Sequence, residues 1–313
     1  MALDGGTSNT RLALLKDGKT LDVWRSSVGA GMNAQTPGVL PSAVKDGISE
    51  LLSRNQLAEK DITAIVASGM VTAEIGLYAL PHLLAPIDEK ALCDGLSKVS
   101  LPEVTSIPFL FVAGVKTDGE ELSQCDMMRG EETELVGLFE GVPKNTAVVL
   151  PGSHSKLIVT DDEARICSIK TTLTGEMLAA LSANTVLRGS FSLADASVCY
   201  DALEEGYLYC RENGIGDALF KVRVLKLRLG YSPDQLYSFM LGVILESEIS
   251  MLLRQNVATI CIGGKKQLRD AMLSLLKPRT QAELRSFTED AIGESVYRGL
   301  YHLYQMYSAQ NGI

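Results

Sequence analysis

The apolar positions at the start of the chain alternate with polar turns in a pattern that predicts strands before the first helix. MALD, RLALL and TLDVWRSS are separated by the turns GGTSNT and KDGK, which is typical of a three-stranded meander. Apolar residues recur at helical spacing from Val44 to Leu52 and predict a helix over residues 41–54. DITAIVASG, residues 61–69, then predicts a buried strand ended by Gly69.

The remaining chain repeats this plan. FLFVAGV (109–115) predicts another buried strand, and EETELVGLFE (131–140) predicts a helix with acidic residues in its first turn. Further elements are expected as a second meander over 145–175, helices over 176–254, a strand over 258–264, a helix over 265–276 and a last helix over 290–307. Two meanders, each with a Gly/Ser/Thr turn after its first strand, indicate an internally duplicated α/β architecture with a domain boundary near residue 140.

Composition narrows the classes of protein that fit this pattern. The 313 residues carry 29 basic and 38 acidic side chains and a net charge of −9, which argues against nonspecific nucleic-acid binding. No apolar run approaches the roughly 18 residues of a membrane span, and no signal peptide is visible, so we expect a cytoplasmic protein that binds no membrane. The six cysteines form no CxxC pair and only three histidines occur, so we expect reduced, mostly buried thiols and no zinc site.

The first candidate for chemistry is the turn after the first strand. It runs Asp4, Gly5, Gly6, Thr7, Ser8, Asn9, Thr10 and Arg11. Glycines let the backbone approach a ligand, and successive N–H groups in such a turn suit phosphate. Asp4 could hold Mg²⁺, which takes one or two carboxylates together with phosphate oxygens. The same residues also suit an ordinary hairpin turn.

A second Gly/Ser turn follows an apolar strand in the other half of the chain. It consists of Pro151, Gly152, Ser153, His154, Ser155 and Lys156. Lys156, expected as an exposed loop residue, would supply a point charge for phosphate. No cluster of partners accompanies His154, so a structural or substrate-contact role fits it better than catalysis.

Two further segments carry candidate residues. Arg129, Gly130, Glu131 and Glu132 open the helix over 131–140, where a carboxylate can serve as general base, although acidic residues are common at any helix start. Gly263 and Gly264 lie between a strand and a helix and could admit a planar group such as adenine. Neither a Walker A loop nor a GxGxxG motif is present.

Taken in order, these segments resemble the 2-dehydro-3-deoxygalactonokinase family of actin/hexokinase-type sugar kinases. The resemblance rests on DGGTSNTR (4–11), SGMVTAEIGLYALPHLLAP (68–86), DMMRGEETELVGL (126–138), LPGSHSKLI (150–158) and LTGEM (173–177). MRGEET together with PGSHSK is specific to that family. After Met177 the resemblance is one of fold, apart from the Gly-Gly turn and the closing helix.

The resemblance implies a two-domain actin/hexokinase (ribonuclease H-like) fold, with a five-stranded mixed sheet in each domain and ATP between them. The domains would be 1–140 and 141–313, with the last helix packing back on the first. The implied reaction transfers the γ-phosphoryl group of ATP to the 6-hydroxyl of 2-dehydro-3-deoxy-D-galactonate, largely by positioning and charge neutralisation. The implied cofactors are ATP and Mg²⁺, and a homodimer is possible.

The resemblance also assigns roles to individual residues. Glu131 would be the base, with Glu132 as the alternative, because related kinases usually have Asp where this helix start offers only glutamates. Lys156 would neutralise phosphate charge, and Asp4 would serve Mg²⁺. Arg129 would bind the substrate carboxylate, because its fork of donors matches a carboxylate. The sugar pocket would also include Ser68, Gly69, Met70 and His154, and the nucleotide would contact Gly5, Gly6, Thr7, Ser8, Asn9, Arg11, Gly152, Ser153, Ser155, Gly263 and Gly264.

Two other functions remain compatible with the sequence. One is a kinase of another sugar or sugar acid on the same fold, which turnover with a panel of substrates would separate. The other is a regulator that binds ATP without phosphorylating a small molecule. The carboxylates of MRGEET argue against the regulator, because a pure binder has no use for them there.

Overall fold

The computed structural model describes residues 1–193 and 196–312 of the chain. Its strands are β1 (Ala2–Gly5), β2 (Thr10–Lys16), β3 (Lys19–Ser26), β4 (Ile65–Gly69), β5 (Leu83–Leu84), β6 (Ser97–Val99), β7 (Phe109–Phe111), β8 (Val115–Thr117), β9 (Asp126–Met128), β10 (Thr146–Leu150), β11 (Ser155–Thr160), β12 (Ile166–Thr172), β13 (Thr259–Ile262) and β14 (Glu283–Ser286). Its α-helices are α1 (Ala30–Gln35), α2 (Val39–Arg54), α3 (Glu89–Asp94), α4 (Glu131–Phe139), α5 (Thr174–Asn184), α6 (Tyr200–Asn213), α7 (Ile215–Val224), α8 (Pro233–Leu253), α9 (Lys266–Leu276) and α10 (Glu289–Asn311).

The chain divides into two compact units that are not continuous in sequence. The first comprises Met1–Lys144, Thr160–Ile169 and Asp290–Ile313, and the second comprises Asn145–Val159 and Lys170–Glu289. The domain limits 1–140 and 141–313 stay a prediction.

Both main sheets begin with a meander and continue with parallel strands. The first has the order β3-β2-β1-β4-β7-β6, in which β1, β4 and β7 are parallel. The second has the order β12-β11-β10-β13-β14, in which β10, β13 and β14 are parallel. The predicted duplication of the α/β plan is therefore present. The first sheet differs from the five strands expected, because the short strand β6 adds a sixth at its edge by antiparallel pairing with β7.

The first unit is built around a short central strand. The four residues of β1 pair with β2 on one side and β4 on the other, and this pairing compensates for the strand's length. Helix α2 covers the sheet with a stripe that includes Leu40, Val44 and Ile48, each essentially inaccessible to solvent. Their spacing is the helical periodicity visible in the sequence. This packing holds the carboxyl ends of β1 and β4 in fixed register.

Glycines allow helix α10 to pack directly on α4 within the first unit. A Cβ added to Gly137 would lie 1.8 Å from the carbonyl oxygen of Ser295, and one added to Gly299 would lie 2.0 Å from that of Thr133. Only glycine permits such an approach. The start of α4, which carries the acidic cluster of the sequence, is therefore braced by a helix from the other end of the chain.

The second unit is organised by the long helix α8. Ser232 caps its first turn in a capping box with Gln235, and Pro233 occupies the first helical position. Within residues 1–193 and 196–312, α8 is the one helix long and apolar enough to cross a membrane, but 72% of its apolar window is buried inside the fold. Such burial is what the core helix of a globular unit shows. Helix α6 crosses α8 closely, because Gly206 lies against Phe239.

The cysteines agree with the expectation of free thiols. None of the six forms a disulfide; Cys93, Cys210 and Cys261 are buried, Cys199 is partly buried, and Cys125 and Cys167 are exposed. The expectation that most are buried therefore holds for only half of them.

Candidate functional site

Three segments that are far apart in sequence meet at the carboxyl end of β1. In the parallel pairing of β1 with β4, Asp4 lies opposite Ser68 and Gly5 lies opposite Gly69. A Cβ on Gly69 would lie 2.4 Å from the carbonyl oxygen of Gly5, and one on Gly130 would lie 3.2 Å from the Cα of Gly69. Gly69 and Gly130 also have φ values of +80° and +112°, a region that favours glycine. The three predicted segments thus converge on one point, with glycine at each contact.

Carboxylates concentrate at this point. Arg11 Nη1 lies 3.8 Å from Asp4 Oδ2. Burial raises the pKa of Asp4, Arg11 opposes this rise and the charge of Glu131 adds to it. Burial, together with the charges of Glu131 and Asp4, raises the pKa of Glu134 to about 8. Asp4, Glu131 and Glu134 therefore act on one another electrostatically.

No role was predicted for Glu134 from the sequence. It stands three residues after Glu131, and residues at that spacing share one face of a helix. This spacing was the signal in the sequence that could have identified Glu134.

Glu131 and Glu132 occupy different environments although they are adjacent. Glu132 is fully buried; both of its oxygens accept from the Gly130 N–H at 2.9 Å, and Oε1 accepts from the Thr133 hydroxyl at 3.2 Å. Burial, followed by the charge of Glu131, raises the pKa of Glu132 to about 7. Glu131 is half-buried, and its Oε2 accepts from the Arg129 N–H at 2.9 Å. Glu132 closes the first turn of its own helix, whereas Glu131 lies on the face nearer Asp4.

Arg129 is more engaged within the protein than the sequence suggested. Its Nη1 donates to the carbonyl and the hydroxyl oxygen of Thr72 at 2.7 and 2.6 Å. Its Nη2 donates to the Leu80 carbonyl at 3.0 Å and lies 3.2 Å from His82 Nε2. Arg129 therefore fastens the start of α4 to the segment after β4. Binding of a carboxylate by the Nη groups would replace or share these contacts.

The residues proposed for the sugar pocket differ in exposure. Ser68 is fully buried, and its hydroxyl has no hydrogen-bond partner among the described protein atoms. Met70 is half-buried and begins a 3₁₀ turn, Met70–Thr72. Ser68 thus presents an unpaired buried hydroxyl beside Asp4.

The turn after β1 is held by its backbone and leaves its side chains exposed. Gly6 donates to the Asn9 carbonyl at 2.8 Å, and its own carbonyl accepts from Ala30 at 3.1 Å. The Thr7 carbonyl accepts from Gly31 at 2.9 Å. Thr7, Ser8 and Asn9 are all exposed. The start of α1, which the sequence analysis missed, fixes this turn from behind.

In the second unit, the PGSHSK turn packs against the start of α5. A Cβ on Gly175 would lie 2.4 Å from the carbonyl oxygen of Gly152, and Glu176 donates its N–H to the Ser153 carbonyl at 3.2 Å. His154 Nε2 lies 3.0 Å from Glu176 Oε1, with both side chains about half exposed. The segments PGSHSK and LTGEM therefore form one structure.

The Gly-Gly turn of the same unit reaches this structure from β13. Gly263 donates to the Val149 carbonyl at 2.8 Å. Gly264 has a φ of +79°, and a Cβ on it would lie 3.0 Å from the Pro151 ring. Two of the predicted nucleotide segments are thus neighbours within the second unit.

The prediction that Lys156 is an exposed loop residue is wrong. Lys156 belongs to strand β11, is 8% exposed and donates from Nζ to Thr171 Oγ1 at 2.6 Å. Ser155 is also buried. Both residues lie in the strand because the turn is shorter than the motif, with Gly152, Ser153 and His154 as its exposed part.

The two meander-led sheets, each continued by parallel strands, define the actin/hexokinase class of fold. A crystal structure from Sinorhizobium meliloti, described as a candidate 2-dehydro-3-deoxygalactonokinase, is similar with a TM-score of 0.78 and 22% identity, over 97% of this chain and 95% of the other. An activator of 2-hydroxyisocaproyl-CoA dehydratase from Clostridium difficile with bound ADPNP is similar with a TM-score of 0.51 and 11% identity, over 99% and 96%. At these identities the likeness shows the fold alone.

Sequence comparison defines the family within that class. The model of the 2-keto-3-deoxy-galactonokinase family matches residues 4–302, and the chain belongs to this family of kinases. A curated protein of Rhizobium meliloti (strain 1021), with the name "Probable 2-dehydro-3-deoxygalactonokinase DgoK1", is 27% identical over 278 residues, 84% of each chain. The resemblance inferred from the motifs is confirmed.

Proposed function

We propose that this kinase transfers the γ-phosphoryl group of ATP to the 6-hydroxyl of 2-dehydro-3-deoxy-D-galactonate. Membership of the family supports the substrate class. The observation that carries the mechanism is the convergence of Asp4, Ser68 and Glu131 at the end of β1. A pyranose ring closed through O6 has no free 6-hydroxyl, so the open-chain or furanose form is the acceptor.

Glu131 is the proposed general base, in preference to Glu132. It accepts the proton of the 6-hydroxyl while that oxygen bonds to the γ-phosphorus and the bond from phosphorus to the ADP oxygen breaks. A base must come within hydrogen-bond reach of the proton that it removes. Glu132 is fully buried and committed to Gly130, whereas Glu131 is half-buried and lies nearer Asp4.

The residues at the end of β1 fit a magnesium ion held together with a nucleotide. Within the described residues, no group of three His, Cys, Asp or Glu side chains could hold a metal ion by itself. Mg²⁺ normally takes only one or two carboxylates and completes its shell with phosphate and water. Asp4 would hold the ion, which when bound neutralises phosphate charge. Besides burial, the charge of Glu131 helps to raise the pKa of Asp4 and of Glu134, and a bound cation would offset this repulsion among the three carboxyl groups.

The nucleotide contacts are proposed for two sets of residues, one in each unit. In the first unit, the turn formed by Gly5, Gly6, Thr7, Ser8 and Asn9 offers N–H and hydroxyl donors to phosphate, with Arg11 beside it. In the second, Gly152 and Ser153 do the same, Lys156 adds positive charge from the adjoining strand, and Gly263 and Gly264 border adenosine. These assignments follow the order of motifs in the family.

The sugar acid is proposed to contact Ser68, Gly69 and Met70, with Arg129 at its carboxylate and His154 as a further contact. The unpaired hydroxyl of Ser68 supports this assignment, because a buried hydroxyl without a partner is costly and a ligand hydroxyl can satisfy it. The substrate carboxylate would replace the present acceptors of the Arg129 Nη groups or would be bound together with them.

The proposed function is tested by ADP release with and without 2-dehydro-3-deoxygalactonate. The C4 epimer, 2-dehydro-3-deoxygluconate, and a panel of hexoses and other sugar acids serve as controls. We expect substrate-dependent ADP release and a product whose phosphorus couples to the C6 protons in NMR spectra. Faster turnover of another acid would identify a different sugar-acid kinase. Nucleotide binding without turnover of any acceptor would instead favour a regulator.

A further inference from the structure

A carboxylate to which no role has been assigned lies deep in the second unit. Glu248 is in the core helix α8 and is only 5% exposed. Its neighbours along the helix are mostly apolar side chains of the core. A buried carboxylate is costly unless hydrogen bonds compensate it. The identity of its partners therefore indicates what it does.

Those partners lie directly before and within the LTGEM segment. Glu248 Oε1 accepts hydrogen bonds from the hydroxyls of Thr172 and Thr174. The two hydroxyls are themselves 2.9 Å apart. Thr172 is the last residue of β12 and Thr174 is the first of α5. Glu248 thus joins the core helix to the junction between a strand and a helix.

A small cavity lies beside this carboxylate. Its polar lining residues are Ser155, Lys156, Lys170, Thr172 and Glu248, and Met251 and Leu252 are among its apolar ones. Glu248 Oε2 and Ser155 Oγ are both buried and have no hydrogen-bond partner among the described protein atoms. The cavity has a volume of about 10 Å³. About 10–15 Å³ on this scale admits a single water molecule.

We propose that Glu248 is a positioning residue for the PGSHSK turn, acting through two connections. The first runs through Thr174 to Gly175, which packs on Gly152. The second runs through one buried water molecule that bridges Glu248 Oε2 and Ser155 Oγ. This inference rests on the proposed function, in which the turn binds nucleotide phosphate. Loss of either connection loosens the turn and weakens nucleotide binding more than binding of the sugar acid, for which only His154 of the turn is a proposed contact.

The variants separate the hydrogen bond from general packing. Glu248→Gln removes the charge, Thr174→Val removes one donor at nearly constant shape, and Thr174→Ser retains that donor. Glu246→Gln, in the same helix but only partly buried, is the matched control. We expect Glu248→Gln and Thr174→Val to raise the Kd for ATP, measured by calorimetry, and the KM for ATP by about tenfold. Thr174→Ser and Glu246→Gln should stay within about twofold of the wild type. In Glu248→Gln and Thr174→Val, the KM for the sugar acid should rise clearly less than the KM for ATP.

Several outcomes decide the inference. Thr174→Val that folds and binds ATP like the wild type overturns it, even if Glu248→Gln fails to fold. An equal rise in both KM values also overturns it, because that result indicates general loosening. A high-resolution crystal structure should show a water molecule between Glu248 and Ser155; a dry cavity removes the second connection. Wild-type protein that neither binds nor turns over ATP would reject the proposed function and, with it, this inference.

Discussion

Gly69 meets Gly5 so closely at the carboxyl ends of their parallel strands that a methyl group on Gly69 would lie 2.4 Å from the Gly5 carbonyl oxygen. This contact sets the distance between the turn that carries Asp4 and the segment that carries Ser68. It also places Gly130, and hence the start of α4, against the same point. The geometry of the candidate site in the first unit therefore depends on backbone contacts.

Gly69→Ala should disrupt this contact. The residue has a φ of +80° and a ψ of −153°, a region essentially restricted to glycine that costs an alanine about 1–3 kcal/mol, and displacement of β1 adds to that cost. We expect the free energy of unfolding in urea to fall by about 3 kcal/mol and catalytic activity to be largely lost. Gly214→Ala is the control, because Gly214 has a φ of +80° and a ψ of 159° but no atom within 4 Å of an added Cβ. Equal losses in both variants would mean that backbone strain, and not the contact, decides the effect.

The contribution of Glu132 to the stability of the protein should fall as pH rises through the acidic and neutral range. Burial raises the pKa of Glu132 from 4.5 to about 7, so the folded state binds this proton more tightly than the unfolded state. The resulting stabilisation is complete below about pH 4.5 and is lost by about pH 7. In Glu132→Gln, the decrease over this interval should shrink by about 3 kcal/mol in urea titrations at several pH values. If the free energy of unfolding depends on pH as it does in the wild type, the raised pKa does not belong to Glu132.

Two other carboxylates should also affect the dependence of stability on pH, each in its own way. Glu134, with a pKa raised to about 8 mainly by burial, should preserve part of the decrease in the Glu132→Gln variant. Glu59 has the opposite sign, because hydrogen bonds from Ser106 and Thr105 lower its pKa. Its stabilisation is present above about pH 4.5 and is lost as pH falls. Glu59→Gln should therefore alter only the acidic end of the profile.

Local pattern was sufficient to predict the elements that frame the site. The meanders, α2 and α4 carry clear alternation or helical spacing, and β10 to β12 appear where expected. Strands β5, β6, β8 and β9 have two or three residues each, too few for a period of two to be visible. Helix α1 and helix α3 have six residues each and offer a similarly weak signal.

The site residues also fall into two groups, those with a signal in the sequence and those without one. The motif order located Asp4, Ser68 and Glu131, whose meeting follows from parallel strand ends. The partners of Arg129 depend on the path of the chain over residues 72–82, for which the sequence has no periodic signal. Glu248 lies 74 residues from Thr174, and no local pattern links them. Such contacts depend on tertiary packing and are visible only in the structure.

Arg129→Ala should mainly raise the KM for the sugar acid. A guanidinium matches a carboxylate with two parallel donors, and its loss should raise this KM about tenfold or more while leaving the KM for ATP unchanged. Because Arg129 also donates to the Thr72 hydroxyl, Thr72→Val tests one of its structural contacts, together with the hydrogen bond that this hydroxyl donates to the Gly69 carbonyl. That variant should lower the free energy of unfolding by about 1 kcal/mol and change both KM values by less than about twofold. Matching kinetics in the two variants would reduce Arg129 to a structural residue.

Lys156→Met should lower kcat while retaining most of the packing of the lysine stem. A fixed cation that stabilises transition-state charge typically contributes a hundredfold or more, so we expect a fall of about that size. Thr171→Val removes the acceptor of the Lys156 ammonium but keeps the charge, and its kcat should stay within about threefold of the wild type. The kcat of each variant is measured by steady-state kinetics, and urea unfolding gives the stability of each. A kcat of Lys156→Met equal to that of the wild type would show that the charge of Lys156 has no part in phosphoryl transfer.

Glu131→Gln is the most direct test of the mechanism. Removal of a general base should lower kcat by about a hundredfold or more and leave both KM values nearly unchanged. Glu140→Gln makes the same chemical change at the exposed end of α4 and should be fully active. Glu132→Gln should keep most of its kcat, because its carboxylate closes the helix start from inside the protein. If Glu132→Gln is inactive and Glu131→Gln is active, the base is one residue further along. If both variants retain full activity, these carboxylates serve only the helix start, and the proton must be taken up elsewhere, with Glu134 and Asp4 as the next groups to change.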